Sequence, residues 1–236
     1  HLDLDAFFCA VEELHDPSLR GKAFAVGGRP DQRGVIAASS YAARRFGVHS
    51  AMPTATALRL CPELILISHH RSNYSEVSHQ VMARLHDLTP LVEQLSIDEA
   101  FADVSFLPDE PAAVARKLQA SINQDLRLPC SLGVATNKLI AKIANNVGKA
   151  SARGDSPPNA ITVVPPGEEA AFLSPLPISE LWGVGPKTSE ALARYGVRTI
   201  GDAAAWPAEE LIRLFGKHGE AIAQHARGID DRPVEP

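Results

Sequence analysis

The sequence is poor in cysteine, with only three among 236 residues. Cys9, Cys61 and Cys130 are odd in number, far apart in the chain and set among apolar residues. A disulfide framework uses paired cysteines, and a zinc site uses short, regular spacings. The pattern argues against both and predicts reduced thiols in the core of an intracellular protein.

Positive charge is also scarce, because 23 lysines and arginines face 28 aspartates and glutamates, giving a net charge of −5. Proteins that bind nucleic acid are expected to be basic, since contacts to phosphates dominate their affinity. Local basic stripes can still bind DNA, but the acidic balance argues against tight binding by this chain alone.

Long apolar runs are missing too, and none approaches the roughly 20 residues that span a bilayer. The chain opens with a strand-like pattern instead of a basic region followed by an apolar one, so we expect no signal peptide. We therefore expect no membrane partner and a cytoplasmic location. The chain begins with His1 and ends in a linker-like stretch, 231–236, so we interpret it as a fragment without its C-terminal domain.

One stretch, residues 95–103, carries the adjacent acids Asp98 and Glu99 between apolar, strand-forming runs. Burying a carboxylate without a partner is costly, so these acids either lie at a turn or neutralise a cation. Adjacent side chains of a strand point to opposite faces, and both can reach one ion only at a turn or bulge. A hairpin tip with two solvated acids remains the alternative.

A second acidic stretch opens the chain, where apolar residues alternate with Asp3 and Asp5. The alternation predicts a half-buried strand with both acids on its outer face. Carboxylate oxygens without a histidine–cysteine cluster favour Mg²⁺ or Mn²⁺ over Zn²⁺.

The order of predicted elements connects the two acidic stretches. Setting aside residues 10–70, the order is strand, helix (72–88), two strands around a turn, helix, and strand (131–135). This is the βαββαβ order of a ferredoxin-like unit, in an α+β protein. Such a unit places its first and third strands side by side, so we expect Asp3 to lie next to Asp98 and Glu99.

Four blocks, in order, resemble motifs of the Y-family (translesion) DNA polymerases, of the DNA polymerase IV branch. They are residues 3–8, 40–48, 96–101 and 136–144. The resemblance implies a catalytic palm with an inserted small fingers subdomain and a helical thumb, followed by a linker to the missing little finger. The implied limits are palm 1–10 and 71–164, fingers 11–70, thumb 165–230 and linker 231–236.

The resemblance also implies the metal site. Asp3 and Asp98 would bridge two Mg²⁺ ions, for which Mn²⁺ can substitute, and Glu99 would complete the ion that activates the primer 3′-hydroxyl. All three are therefore candidate catalytic residues, and the backbone carbonyl of Leu4 is the further candidate ligand. Asp5 is expected to be hydrogen-bonded or solvated and not to bind the metal, and so is Asp103, beside the second motif.

Tyr41 and Arg44 lie three positions apart just after a predicted helix start, so they share a face. Helix N-termini attract anions and arginine chelates phosphate, and the resemblance assigns both residues to the β- and γ-phosphates. The alternative is a surface arginine over a half-buried tyrosine. Lys149 shares an arc of its helix with Lys138 and Lys142, which alone would be a solvated face, and the resemblance makes it the third candidate for the triphosphate.

Phe8 resembles the family's steric gate, a ring that excludes ribonucleotides by overlap with their 2′-hydroxyl. Phe7 is expected in the core, on the opposite face of a strand. The two could exchange roles if the following helix begins early, so both belong to the candidate nucleotide-binding set.

Two glycine hairpins, 181–187 and 215–220, resemble the helix-hairpin-helix motifs of the family's thumb. Glycine lets a backbone approach closely, and free N–H groups at a helix start can bind DNA phosphate without reading sequence. The candidate DNA-binding residues are Gly183, Gly185, Lys187, Gly216 and Gly219.

The predicted function is that of a template-directed DNA polymerase acting across damaged template. Its expected partners are primer-template DNA, a dNTP and, through the missing region, a sliding clamp, and we expect a monomer that is nucleoid-associated in a prokaryote. One alternative is a nucleotidyl cyclase on the same palm. The other is a non-catalytic DNA-binding scaffold, which the acidic balance favours and the intact acids disfavour.

Overall fold

The computed structural model of the chain describes residues 1–68, 71–151, 154 and 156–236, with backbone alone for 71–73. The parts of the predicted fingers and palm at 69–70, 152–153 and 155 lie outside these residues. Within the described ranges, no helix is long and apolar enough to cross a membrane.

Strands and helices alternate over the first two thirds of the chain, and helices alone follow. In chain order the strands are β1 (Leu2–Leu4), β2 (Phe24–Gly27), β3 (Ile36–Ser39), β4 (Ile65–Ile67), β5 (Val92–Gln94), β6 (Glu99–Ala102), β7 (Cys130–Val134) and β8 (Ile161–Val163). The α-helices are α1 (Phe7–His15), α2 (Tyr41–Arg44), α3 (Thr54–Leu60), α4 (Arg71–Leu88), α5 (Pro111–Ser121), α6 (Lys138–Ser151), α7 (Glu169–Leu173), α8 (Pro186–Ala193), α9 (Ile200–Ala205), α10 (Ala208–Phe215) and α11 (Lys217–His225).

The larger sheet has the strand order β5-β6-β1-β7-β8. Its first four strands are antiparallel neighbours, and β8 joins the far edge parallel to β7. Without the segment between α1 and α4, the elements follow the βαββαβ order, with the first strand between the third and the fourth. The predicted α+β, ferredoxin-like fold is therefore confirmed.

Strand β1 lies at the centre of this sheet. Leu2 and Leu4 are almost fully buried in the main core, while Asp3 between them faces the other side of the sheet. Asp3 is opposite Glu99 of β6 on one side and opposite Ser131 of β7 on the other. The alternation of apolar and acidic residues thus places an acid at the middle of the sheet.

The predicted strand alternation fails immediately after β1. Ala6 adopts a left-handed conformation, with φ of 50°, and α1 begins at the next residue. Phe7 and Phe8 therefore lie on a helix, not on opposite faces of a strand. Phe7 is nevertheless buried in the main core, whereas Phe8 is only partly buried against it.

A second, smaller sheet has the strand order β3-β2-β4 and packs with α2 and α3. Part of it packs in a separate cluster of buried residues from positions 25–64, whereas Phe24, Val26 and Ala38 belong to the main core. This region corresponds to the predicted fingers, whose exact limits stay a prediction, as do those of the palm and thumb.

Helix α6 joins the larger sheet to the C-terminal helices. Leu139, Ile140 and Ile143 belong to the core formed with α7 to α11, although the helix itself packs on β7. Gly133 of β7 permits this close approach, because a Cβ there would stand 1.9 Å from the carbonyl oxygen of Ala141.

Candidate active site

The acids of the two stretches meet at the middle of the larger sheet, where β1 lies beside β6. Asp3 pairs in register with Glu99, and the backbone N–H of Leu4 donates to the carbonyl oxygen of Asp98 at 2.9 Å. The predicted convergence is confirmed: residues about 95 positions apart in the chain become neighbours because β1 inserts beside β6.

Asp98 lies at the tip of the β5–β6 hairpin, the turn that two adjacent acids require. The hydroxyl of Ser96 donates to its Oδ1 at 2.6 Å, and the residue is half-buried. This turn frees the Asp98 carboxylate from strand pairing, so it and the Glu99 carboxylate are not forced to opposite faces.

Glu99 is held by two groups that favour its ionised form. Its Oε1 accepts from His1 Nε2 at 2.6 Å and pairs with the ammonium of Lys142. The amide of Asn145 donates to His1 Nδ1 at 2.9 Å, which leaves Nε2 as the donor to Glu99. Burial opposes ionisation, but these hydrogen bonds outweigh it and lower the pKa of Glu99 to about 2.

Asp3 is paired with a lysine from a distant part of the chain. The ammonium of Lys149 lies 2.5 Å from Asp3 Oδ1 and 3.5 Å from Asp5 Oδ1. Burial raises the pKa of Asp3, and the positive charge of Lys149 opposes that shift. The charge of Lys149 is therefore shared between two acids that differ in burial.

Asp5 is fully buried and fully occupied by hydrogen bonds. The Ser131 hydroxyl donates to both of its oxygens, at 3.0 and 2.9 Å, and the backbone N–H of Asn159 donates to Oδ2 at 2.9 Å. This confirms the expected hydrogen-bonding role. Asp103, the acid beside the second motif, accepts the backbone N–H of Ser105 at 2.8 Å.

The three lysines of α6 lie on one face, as the helical spacing predicts, and meet acids of successive strands. Lys138 pairs with Glu93 of β5 at 2.7 Å, Lys142 with Glu99 of β6, and Lys149 with Asp3 of β1. The helix therefore crosses the sheet with one lysine meeting an acid from each of the three strands β5, β6 and β1.

Sequence reasoning missed Lys142 as a site residue. Its shared arc with Lys149 was the available signal, but the spacing does not show which lysines reach an acid. The buried Ser131, which fixes Asp5, gave no sequence signal at all.

Hard cations fit the donor atoms of this group of acids. Asp3, Asp98 and Glu99 offer carboxylate oxygens, the donors that Mg²⁺ prefers. The nearby thiol of Cys130 is buried, which raises its pKa to about 12, so no thiolate competes at neutral pH. In the described part of the chain, no group of three or more metal-binding side chains already surrounds one point. The carboxylates of Asp3 and Glu99 instead bind lysine ammonium groups.

Tyr41 and Arg44 share a face of α2, as predicted, and stack on each other. Ser40 caps this helix by accepting the N–H of Ala43 at 3.2 Å, and the Arg44 guanidinium lies 4.3 Å from the centre of the Tyr41 ring. The Tyr41 hydroxyl is buried, and no group among the described residues accepts its hydrogen bond. Burial and the nearby Asp5 raise the pKa of Tyr41, which keeps the hydroxyl protonated as a donor.

The Phe8 ring lies close to the aromatic side chains of two helices. Its centre is 5.6 Å from that of Phe7 and 4.6 Å from that of Tyr74 on α4, the latter edge-on. The ring is therefore held from two sides, which a steric gate requires. Its assignment as the gate stays a prediction.

The two glycine hairpins differ in structure. Gly183 has a φ of 95°, which favours glycine, and Gly185 is the N-cap of α8, with Lys187 exposed in its first turn. Gly216 joins α10 directly to α11, with a φ of 60°, whereas Gly219 is buried inside α11. A Cβ on Gly219 would stand 1.9 Å from the carbonyl oxygen of Leu211, so helix packing already explains that glycine.

Comparisons with known proteins match both halves of the chain. The impB/mucB/samB family matches residues 2–146, and the helix-hairpin-helix motif of the same family matches residues 166–197. The second match covers the first glycine hairpin but not the second.

Curated relatives align with the whole chain. The DNA polymerase IV of Desulfatibacillum aliphaticivorans is 45% identical over 239 residues, which cover 100% of this chain and 58% of the relative. The DNA polymerase IV of Pseudomonas paraeruginosa is 44% identical over 238 residues, covering 100% and 66%. The chain thus spans about three fifths of the length of these relatives.

Solved structures agree with this fold. DinB from Sulfolobus solfataricus matches with a TM-score of 0.89 and 30% identity, over 99% of this chain and 68% of that one. An insertion ternary complex of Dbh DNA polymerase matches with a TM-score of 0.89 and 29% identity, over the same shares.

Proposed function

Because the chain belongs to the impB/mucB/samB family, we propose that it is the catalytic part of a template-directed DNA polymerase. It would transfer a deoxynucleoside monophosphate from a dNTP to a primer 3′-hydroxyl, in synthesis across damaged template. The relatives named above are DNA polymerases IV, and one structural neighbour is a ternary complex of a DNA polymerase.

The observation that carries the proposal is the meeting of Asp3, Asp98 and Glu99 where the central strand β1 lies beside β6. Two strands deliver three carboxylates to one place, next to the basic face of α6. Phosphoryl transfer asks a protein mainly for positioning and for charge stabilisation. Acids fixed on the central strands beside the lysines of α6 offer both positioning and charge stabilisation.

We propose that Asp3, Asp98, Glu99 and the Leu4 carbonyl hold two Mg²⁺ ions, with Mn²⁺ as a substitute. Bound there, the ions would activate the attacking hydroxyl and stabilise charge on the triphosphate. The protein's own contribution is to fix the carboxylates: the β5–β6 turn orients Asp98, and His1 keeps Glu99 ionised.

The triphosphate would be bound by cations and by one hydroxyl. Arg44 is exposed and stacks on Tyr41, so its guanidinium is available to phosphate, and the Tyr41 hydroxyl, which has no acceptor among the described residues, can donate to a phosphate oxygen. Lys149 is only 21% exposed but close to Asp3, where it can exchange a carboxylate for a phosphate. The Phe8 ring would exclude a ribose 2′-hydroxyl by overlap.

Primer-template DNA would be gripped through backbone N–H groups at the glycine hairpins. Gly183, Gly185 and Lys187 are exposed at the start of α8, and Gly216 is exposed before α11. Because the net charge is −5, we expect weak binding by this chain, with further grip and a sliding-clamp contact from the region that the relatives have beyond it. We further propose a monomer acting in the cytoplasm, at the nucleoid in a prokaryote.

Primer extension with dNTPs and Mg²⁺ tests the proposal. We expect wild type to extend a primer, Asp98→Ala to lose extension, and Asp103→Asn, an acid beside the same motif, to retain it. The loss should be at least about a thousandfold, or about 4 kcal/mol in activation free energy. Extension by Asp98→Ala at the wild-type rate contradicts the proposed site.

The same assay separates the two alternatives. A nucleotidyl cyclase would form a cyclic product from a triphosphate without primer or template. The helix-hairpin-helix match at residues 166–197 disfavours that alternative. A non-catalytic scaffold, which the acidic balance favours, would bind primer-template without extending it.

A further inference from the structure

The last residues of the chain are fastened across the start of α6. We call residues 228–235 the C-terminal strap. Asp230 Oδ2 accepts the backbone N–H of Leu139 at 3.0 Å, and the Asn137 amide donates to the carbonyl oxygen of Gly228 at 2.9 Å. Further along, the N–H of Glu235 donates to Glu93 of β5 at 3.0 Å. The strap therefore connects α6 with the larger sheet.

An ion pair with a buried carboxylate stiffens the strap. Arg232 donates to Asp230 through Nε at 2.6 Å and through its terminal nitrogen at 2.9 Å, and the Asp230 side chain is only 1% exposed. Two-pronged arginine–carboxylate pairs fix orientation as well as distance. Asp230 is thus held in the one position from which it caps the helix.

Arg232 also reaches the first glycine hairpin. Its guanidinium lies 4.5 Å from the centre of the Trp182 ring, and the ammonium of Lys142 lies 5.4 Å from the centre of the same ring. Lys142 pairs with Glu99 of the candidate active site. Trp182 therefore lies close to a cation of the strap and to a cation of the active-site helix.

From this geometry we propose that Asp230 and Arg232 are positioning residues that hold the first glycine hairpin in the orientation that binds DNA. The inference rests on the proposed function for its consequence, but the contacts exist without it. Asp230 anchors Arg232 to the N-terminus of α6, and Arg232 contacts the ring of Trp182. Trp182 is the residue that directly precedes Gly183 of the hairpin. Loss of the pair removes the contact between the strap and the hairpin, so the hairpin keeps only its remaining packing against α6 and becomes less firmly oriented, while the acids of the candidate site stay in place.

Two measurements on the same variants test the proposal. The first is amide hydrogen exchange at Leu139, since a first-turn N–H of a helix has no partner within the helix and depends on the cap. The second is the KM for primer-template, measured separately from kcat at saturating DNA. The variants are Asp230→Asn and Arg232→Lys, and the matched control is Asp231→Asn, which changes an exposed neighbouring acid.

For Asp230→Asn we expect exchange at Leu139 to become about tenfold faster, while amides of the larger sheet keep their rates. Tenfold corresponds to about 1.4 kcal/mol, close to the lower end of the range for hydrogen bonds to a charged group. The KM for primer-template should rise about tenfold with kcat within about twofold. Arg232→Lys keeps the charge but loses the two-pronged contact. Its exchange rate at Leu139 and its KM for primer-template should therefore lie between those of Asp230→Asn and those of the unchanged control.

An unchanged KM in Asp230→Asn, with Leu139 deprotected, overturns the proposal, because Asp230 would then be a helix cap and nothing more. Faster exchange throughout the protein with unchanged KM overturns it equally. If Asp230→Asn does not fold, Arg232→Lys alone decides by its KM. If wild type fails to extend primers, the proposed function fails, and the Kd for the same primer-template decides on the strap in place of KM.

Discussion

Helix α6 meets a carboxylate near each end, and the two ends are built differently. At its N-terminus, Asp230 is 1% exposed and both of its oxygens are occupied by Arg232 and the helix N–H of Leu139. Near its C-terminus, Lys149 is 21% exposed and divides its charge between Asp3 and Asp5. Both arrangements suit the helix dipole, which favours an anion at the start and a cation at the end.

The difference teaches that an ion pair can be either a fixed joint or an exchangeable contact. The Asp230 pair has two-pronged geometry and a carboxylate that is almost fully buried, so removing Arg232 leaves a buried charge with the Leu139 N–H as its remaining partner. The Lys149 pair has a single contact with Asp3 and a second acid, Asp5, nearby, so its lysine can leave Asp3 for a phosphate. Mutations of the Asp230 pair should therefore change the free energy of unfolding, and mutations of the Lys149 pair should change the polymerase activity.

The largest effect is expected for Asp3→Asn, at the exchangeable end. Polymerase activity should fall at least about a thousandfold, because a bridging carboxylate is lost where several kcal/mol of charge stabilisation are needed. The free energy of unfolding without metal should not decrease, because burial already disfavours the Asp3 charge. Primer extension and urea unfolding in EDTA measure the two quantities. A large loss of stability would show that Asp3 is a structural acid like Asp5.

A smaller effect is expected for Lys149→Ala. If Lys149 moves from Asp3 to the triphosphate, the KM for dNTP should rise about ten- to a hundredfold, or about 1.4–2.8 kcal/mol. The KM for primer-template should stay unchanged. Steady-state kinetics measure both, and Lys117→Ala, an exposed lysine on α5 paired with Asp109, is the control. An unchanged KM for dNTP would leave Lys149 as a partner of the acids only.

At the fixed end, stability should depend on pH through Asp230. Burial opposes its ionisation, but the hydrogen bonds and charge of Arg232 outweigh burial and lower its pKa from the ordinary 3.8. The unfolded chain then binds this proton at higher pH than the folded one, so stability is full above 3.8 and is lost as the pH falls below it. Asp230→Asn should be less stable than wild type by about 1.5–3 kcal/mol at pH 7.

The stability gap between Asp230→Asn and wild type should narrow as the pH is lowered below 3.8. Urea unfolding between pH 7 and pH 3 measures it, with Asp231→Asn as the control. A gap that is constant over this range would contradict the assigned pKa direction.

The smallest effect is expected for Asn137, the local cap of α6. Its side-chain oxygen accepts the N–H of Ile140 at 3.0 Å, and its amide donates to Gly228 of the strap. Asn137→Ala should cost about 1 kcal/mol, as for other helix caps. Asn137→Ser keeps a capping oxygen and loses the donation to Gly228. Thermal unfolding of both variants therefore separates the local cap from the contact with the strap.

Much of α6 could be predicted from its sequence. Asn137 announces the helix start, and the apolar spacing of Leu139, Ile140 and Ile143 predicts a buried face. The lysine arc is a further consequence of helix geometry, because at about 100° per residue positions four and seven apart return to nearly the same side. Asp230 could not be predicted, since a cap contributed from 91 positions along the chain leaves no local pattern.

Asp3 and Asp5 show the same limit within one strand. Alternation places both acids on one outer face, but the left-handed Ala6 ends the strand and the chain turns. Asp3 remains on the sheet beside Glu99, whereas Asp5 is buried against Ser131. Two identical side chains thus receive opposite environments from a backbone turn that the residue pattern does not reveal.

By itself, the sequence determined the elements and the kinds of donor they carry: alternating strands with acids, an amphipathic helix with a lysine arc, and glycine hairpins. These follow from local rules, since backbone geometry repeats every few residues. Only the tertiary structure decided which acid faces which cation, because strand order and helix crossing set distances between residues far apart in the chain. Asp3 meets Lys149, and Asp230 meets α6, across 146 and 91 positions respectively.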